Sequence, residues 1–392
     1  MSTSLITKRH PSNELRCLIV TYTGINLSDD LICCGVENIL KKAFRNQVSF
    51  IHVSRASAFS YTGLSFLSAF SSIRGINRIM SQRLLHKVLK YGSSFRKVDL
   101  VVIAGTPWFY SDKEGRYSIG KQKNAQILIR EYLQASKNAG IPVMCLGLGN
   151  SFSLGESEAV LYDDTESMEL LRILIDGTRI VHVRDKLAAR CVDRLGFQFE
   201  ELVCPSVFAR LSIPSVSAKP PPSRVGIILS SYILELHDSV KVALFHSQLA
   251  ACARENISSD QLMLIAHNGD DKRLSERLFP GVEVVLANST KSYLSLLRDQ
   301  CLAVISTRVH AAMVAHSFGI PVMLFKIDER AVIATKAGIK TLDYTDMNPF
   351  LVESFLSDVK SNDTRAIPDY EPDLGRYCNA LRTALNLKIS DI

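Results

Sequence analysis

Ser306-Thr307-Arg308-Val309-His310 packs two hydroxyls, a guanidinium and an imidazole into one short stretch. The stretch begins where the apolar run LAVIS ends and leads into a segment of helical period that closes on Gly319-Ile320-Pro321-Val322. Ser306 or Thr307 can cap that helix, leaving first-turn N–H groups aimed at the strand end as an anion site. Arg308 adds a rigid fork of donors that suits a carboxylate or a phosphate. His310 supplies a general acid or base that titrates near neutral pH. The plain alternative is a capped helix with a surface arginine and a core histidine.

A second block, His182-Val183-Arg184-Asp185, also ends an apolar run and opens a helix. Asp185 fits the helix start, where the dipole favours an acid, and Arg184 then faces the same crevice. A surface Arg–Asp pair is the other reading. The third block, His267-Asn268-Gly269-Asp270-Asp271, follows the run LMLIA, and its acids can either touch a ligand or cap the next helix. Glycine turns follow other strands: Gly24 with Asn26, Asp29 and Asp30; Gly105 with Thr106; Gly147 with Gly149 and Asn150. Glycine admits close backbone approach but also merely makes turns. No G-x-x-x-x-G-K-[ST] occurs, and no G-x-G-x-x-G lies in a dinucleotide setting.

Positioning these blocks takes alternating strands and helices. Strands are expected at 16–22, 48–54, 98–104, 142–148 and 179–183, then at 224–230, 262–267, 282–286, 302–306 and 321–325. Many are apolar on consecutive residues, as strands buried on both faces must be. Helices are expected near 29–44, 74–91, 122–138, 165–176 and 185–195, then near 239–254, 272–278, 291–299, 309–318, 328–337 and 348–359. Such alternation implies right-handed βαβ units and parallel sheets. The segment 214–223 contains three consecutive prolines among small polar residues and reads as a linker. The fold expected is α/β, with two Rossmann-like parallel-sheet domains, 1–213 and 224–392, facing a cleft. A last helix near 374–388 can pack back on the first domain.

Composition narrows the class. The 392 residues carry 46 basic against 39 acidic side chains, a net charge of +7. That balance suits anionic ligands and falls short of a nucleic-acid-binding signature. Nine cysteines, with no C-x-x-C pair, read as reduced core thiols in a cytoplasmic protein, and no metal cluster is legible. No run approaches the ~20 apolar residues of a membrane span. Residues 73–97 carry seven basic and no acidic residues over an apolar stripe, so peripheral docking on an anionic membrane competes there with ordinary core packing.

From about residue 16 to 345 the arrangement resembles the polysaccharide pyruvyl transferase family. The resemblance rests on the Gly24/Asn26/Asp29-Asp30 turn, Asp99 to Gly105, Gly147-Leu148-Gly149, His182 to Asp185 and Cys204-Pro205-Ser206. The second half adds His267 to Asp271, Thr307 to His310, Gly319 to Val322 and Asp328-Glu329-Arg330. Two turns differ from the family pattern: Asn26-Leu27-Ser28-Asp29-Asp30 lacks a second glycine, and Ala104-Gly105-Thr106 is short of a glycine run. The resemblance implies a GT-B-like fold and transfer of a pyruvyl group from phosphoenolpyruvate to hydroxyls of a sugar, glycan or lipid-linked saccharide, in exopolysaccharide or cell-surface glycan synthesis. It implies no cofactor and no metal. Arg184, Arg308 and His310 would be catalytic; Gly24, Asn26, Asp29, Gly105, Gly147, Gly149, His267, Asn268 and Thr307 would line the substrate. Two rival readings remain open: a GT-B-type glycosyltransferase holding a nucleotide sugar at the Arg308 helix end, and a non-catalytic anion-binding relative.

Overall fold

The protein is described by a computed structural model covering residues 14–21, 27–54, 98–105, 107–110, 128–214, 221–361 and 366–385. The first sheet contains β1 (Leu15–Thr21), β2 (Val48–Ser54), β3 (Leu100–Ala104), β4 (Pro107–Tyr110), β5 (Val143–Ser151), β6 (Ile180–Val183) and β7 (Glu200–Glu201). Its order is β2-β1-β3-β5-β6-β7, with β4 beside β5, and every pairing is parallel. The second sheet runs β10-β9-β8-β11-β12-β13, again all parallel. Its strands are β8 (Arg224–Ile228), β9 (Leu262–Ala266), β10 (Val284–Leu286), β11 (Cys301–Ser306), β12 (Val322–Lys326) and β13 (Lys340–Asp343).

β3 (LVVIA) and β9 (LMLIA) are buried at every residue, which is why their sequences lack alternation. The helices that carry or support the site are α1 (Leu27–Ala43), α2 (Thr165–Ile175), α3 (Lys186–Arg194), α4 (Ser239–Asn256), α5 (Gly269–Leu278), α6 (Thr290–Gln300), α7 (Val309–Ser317), α8 (Pro349–Ser361) and α9 (Glu371–Ala384). The expected helix over 74–91 lies outside the described residues. The structure adds three short strands to those expected: β4 of four residues, β7 of two and β13 of four.

One apolar cluster joins the two sheets' helices. It contains Leu31 and Val36 of α1, Val207 and Phe208 of the 3₁₀ helix Pro205–Ser212, Ala311 and Ala315 of α7, and Leu381 of α9. At ~1.5–3 kcal/mol per large buried side chain, this contact fixes how the crevice residues meet. Gly35 lets α1 approach the 3₁₀ helix: a Cβ there would lie 1.8 Å from the Pro205 carbonyl oxygen. α9 crosses to the first sheet. Tyr377 Oη donates to the Val203 carbonyl at 2.9 Å, and Arg382 Nε to that of Ala43 at 2.9 Å.

Two buried histidines, one beside this packing and one in the second sheet's own core, make stability depend on pH. His182 stacks edge-on against Tyr377 at 4.8 Å, and His246 sits inside α4 against Phe245. Burial pulls both imidazoles down to about 4; Glu200 partly opposes this at His182, and Arg277 adds to it at His246. Between that value and the ordinary ~6.5 the unfolded chain binds more protons than the folded one, so stability falls as pH falls through this window. We expect the denaturant midpoint to drop by the equivalent of a few kcal/mol from pH 6.5 to 4. His246→Leu should flatten part of the slope, and an unchanged slope would contradict the assignment.

Candidate active site

The crevice between the sheets collects the carboxyl ends of β5, β6, β9 and β11, the usual ligand position in open α/β sheets. At the end of β6 the chain turns into α3 with Asp185 as N-cap, its carboxylate accepting from Ala188 N at 2.7 Å. The same carboxylate takes Asn150 Nδ2 at 2.7 Å and Asn150 N at 3.0 Å, tying β6 to the end of β5. Asp185 is therefore held by capping and by Asn150, and Arg184 is left to point elsewhere.

Arg184 is 2% exposed. Its Nη1 donates to the Gly105 carbonyl at 2.7 Å, to His310 Nε2 at 3.0 Å and towards Cys204 Sγ at 3.7 Å. Nη2 is buried with no partner, and among the described residues no carboxylate lies within ion-pair distance of this guanidinium. The nearby glycines are closely packed. A Cβ on Gly149 would lie 2.2 Å from Arg184 Nε; one on Gly105, 2.1 Å from the Gly147 carbonyl oxygen. Gly147 adopts φ +73° and packs on Pro205, where a Cβ would meet Cδ at 2.5 Å. The close contacts of all three glycines are with protein: Gly149 makes room for Arg184, Gly105 for the backbone at Gly147, and Gly147 for Pro205.

From the second sheet, Arg308 stands as N-cap of α7, and its side chain, a donor only, makes no cap hydrogen bond to the helix's first N–H groups. Ser306, expected as a cap, instead accepts from Arg308 N at 2.9 Å, and the Thr307 hydroxyl accepts from Ser230 N at 2.8 Å. The Arg308 fork is bidentate on Asp271, Nε to Oδ2 at 2.9 Å and Nη2 to Oδ1 at 2.8 Å. Asp271 is fully buried and also takes the Ser231 N–H at 2.9 Å. Asn268, not an aspartate, caps α5, by accepting from Asp271 N at 2.8 Å. Arg308 is thus pre-oriented by a dedicated carboxylate, a role for Asp271 that sequence did not reveal.

His310 is 2% exposed in the first turn of α7. A guanidinium only donates, so Nε2 accepts from Arg184 and the ring proton sits on Nδ1. Burial, then Arg184, Arg330, His267 and Arg308, hold its pKa well below the ordinary value. At neutral pH it is an uncharged imidazole.

His267 reaches across to α1, its Nδ1 3.5 Å from Ser28 Oγ, while its ring meets Tyr293 edge-on at 5.0 Å. Among the described residues, His267 Nε2 and Tyr293 Oη are both buried without a partner. Burial, then Arg308, keep His267 neutral as well. Asp29 is buried in the first turn of α1. Arg330, which follows β12, is clamped by Asp328, with Nε 3.0 Å from Oδ1. Burial works against its charge, but Asp328 and, more weakly, Asp29 outweigh burial and raise its pKa. Gly24, Asn26 and the basic stretch 73–97 lie outside the described residues.

The crevice brings Arg184, Arg308, Arg330, His267 and His310 around one region in which two arginines are paired with aspartates and the third meets no carboxylate among the described residues. Such a centre can receive an anion, orient it through forked donors and pass protons through a neutral imidazole. No helix among the described residues is long and apolar enough to cross a membrane.

The architecture is similar to solved sugar-nucleotide enzymes. A Staphylococcus aureus MnaA–UDP structure aligns with TM-score 0.52 at 11% identity, over 96% of this chain and 97% of that one. A Neisseria meningitidis UDP-GlcNAc 2-epimerase bound to UDP-GlcNAc gives 0.54 at 11%, over 95% and 100%. A Methanocaldococcus jannaschii UDP-GlcNAc 2-epimerase gives 0.55 at 9%, over 94% and 99%. At these identities the likeness speaks for the fold, two parallel-sheet domains in the GT-B-like manner. A search of curated proteins finds no significant match. The polysaccharide pyruvyl transferase family profile matches residues 29–329, from Asp29 on α1 to the Asp328-Glu329 turn, and the chain belongs to that family.

Proposed function

We propose that the protein transfers the pyruvyl group of phosphoenolpyruvate to two hydroxyls of a sugar unit, in a free glycan or a lipid-linked saccharide, forming a cyclic ketal and releasing phosphate. The observation that carries this reading is the setting of Arg184: a buried guanidinium, 3.0 Å from His310, whose Nη2 has no partner and which meets no carboxylate among the described residues. A buried charge left unpaired is costly, so such a group is expected where a ligand supplies the counter-charge. Phosphoenolpyruvate carries a phosphate and a carboxylate; Arg184 from one sheet and Arg308 with the first N–H groups of α7 from the other match that pair.

The steps balance without a cofactor. An acceptor hydroxyl oxygen bonds to the enol carbon, the terminal methylene takes a proton to become a methyl group, and the hydroxyl loses its own. The bond from that carbon to the phosphate oxygen then breaks, phosphate leaves with the electron pair, and a second hydroxyl adds, its proton ending on phosphate. In this reading His310 holds the proton in transit. Burial first, then the neighbouring arginines, hold its pKa well below the ordinary value, so at neutral pH it is an uncharged imidazole able to accept a proton; a bound anion offsets the arginines but not the burial. Positioning and charge stabilisation in a dry crevice supply most of the acceleration.

The UDP-bound structures of similar fold support a second reading, a nucleotide-sugar enzyme with the diphosphate at the α7 N-terminus. Phosphoenolpyruvate labelled with ¹³C at the enol carbon separates the two. Incubated with a panel of galactose-, mannose- and N-acetylglucosamine-containing saccharides, the protein should convert the enol resonance to a ketal resonance, with one phosphate released per ketal. Turnover of UDP-sugars and no ketal with any acceptor would move the assignment to the second reading.

A further inference from the structure

A second cluster lies outside the crevice, on the flank of the first sheet. Cys33 and Glu37 are four residues apart on α1 and so share one face of the helix. The chain leaves α1 through Arg45 and Asn46, both at positive φ, and enters the edge strand β2, which carries His52 back beneath that face. His52 Nδ1 is 3.6 Å from Cys33 Sγ and its Nε2 is 3.2 Å from Glu37 Oε1. One thiol sulfur, one imidazole nitrogen and one carboxylate oxygen all fall within 4.8 Å of one another.

We propose that Cys33, Glu37 and His52 form a binding site for a single zinc-class divalent cation, clipping α1 to the edge strand β2. The mixed sulfur, nitrogen and oxygen donor set is that of zinc, whereas hard cations such as magnesium prefer oxygen alone. Ligand atoms around a tetrahedral zinc stand ~3–4 Å apart, close to the spacing of this trio, and His52, half-exposed, has the freedom to close the remainder. Three protein ligands leave a fourth position for water, and the exposed imidazole gives the ion a path from solvent. Burial, then Glu37, Cys34, Asp30 and Cys17, hold the Cys33 thiol pKa well above its ordinary value. On metal binding the thiol gives its proton to solvent as the sulfur–metal bond forms. Lys41 Nζ, 3.5 Å from Glu37 Oε2, is the competing cation that zinc would displace. Sequence gave no sign of the site because His52 stands far from the helical pair and on a different element.

The test uses the full chain, stripped of metal and titrated with Co²⁺ and then Zn²⁺. One equivalent of Co²⁺ should produce tetrahedral visible bands with thiolate-to-cobalt charge transfer in the near ultraviolet, both lost on adding Zn²⁺, and Zn²⁺ should raise the thermal midpoint. Cys33→Ser should remove the charge-transfer band. His52→Gln, at a half-exposed position where folding is not at stake, should weaken zinc binding by more than about a hundredfold. No tetrahedral bands in the wild type, or bands unchanged in both variants, would overturn the proposal. Because neither variant touches the crevice, the result is independent of whether phosphoenolpyruvate is the donor.

Discussion

Arg184→Met is expected to abolish phosphoenolpyruvate binding while leaving the ligand-free protein with an unfolding midpoint at or above that of the wild type. Removing one partner of a buried, hydrogen-bonded charge pair costs about 2–5 kcal/mol of affinity, ~30-fold to several thousandfold. Without ligand the balance differs. The wild type bears the cost of an unpaired charge at 2% exposure, on the order of several kcal/mol, and methionine of similar length relieves it. Against that gain stand the Gly105 carbonyl and His310 Nε2, which lose their donor at ~1–3 kcal/mol each. The combination of lost binding and kept stability marks a residue held for function at the expense of the fold. Calorimetric titration beside a urea melt reads both quantities. A variant that unfolds much earlier and still binds phosphoenolpyruvate would make Arg184 a structural cation.

Asp271→Asn should show the opposite behaviour, a loss of about 3–5 kcal/mol of stability, because it strips the counter-charge from Arg308. The carboxylate is fully buried, receives both nitrogens of the Arg308 fork and fixes the Ser231 N–H. An amide of the same shape keeps one acceptor and turns a donor towards a guanidinium. Adding Arg308→Met should restore much of the lost stability, since the orphaned charge goes with it. A double-mutant cycle measured by urea unfolding should therefore show a coupling of more than about 1 kcal/mol. Additive losses would mean the pair is not coupled in solution.

The contrast between these arginines explains how much of the site could be seen in the sequence. The strand-end positions of Arg184, Arg308 and His310 were legible, because consecutive apolar residues such as LAVIS and the helical period after them mark where a buried strand stops. The alternation that makes two parallel sheets was legible for the same reason. What each arginine pairs with was not. Asp271 and Arg308 belong to different βα units and meet only through the sheet order, which brings β9 and β11 to either side of β8. The meeting of Arg184 and His310 requires two separate sheets to be joined through α1, the Pro205–Ser212 helix and α9. The glycines at 105, 147 and 149 looked like ligand contacts from their turns, yet their tightest neighbours are Arg184, Pro205 and each other. Close approach was suggested by residue type, and the protein groups that approach are set by the tertiary fold.

The most direct test of the central claim, that the crevice is an anion site for phosphoenolpyruvate built on an unpaired Arg184, is ligand-dependent thermal stability. Wild type, Arg184→Met and Arg308→Ala would each be melted with phosphoenolpyruvate, inorganic phosphate, UDP and UDP-N-acetylglucosamine. At 100 times its dissociation constant a ligand stabilises by about 2.7 kcal/mol, a shift that is readily seen. The wild type should shift with phosphoenolpyruvate, by more than with phosphate, and both arginine changes should remove the shift. A shift with the UDP compounds alone, or a phosphoenolpyruvate shift that survives Arg184→Met, would contradict it.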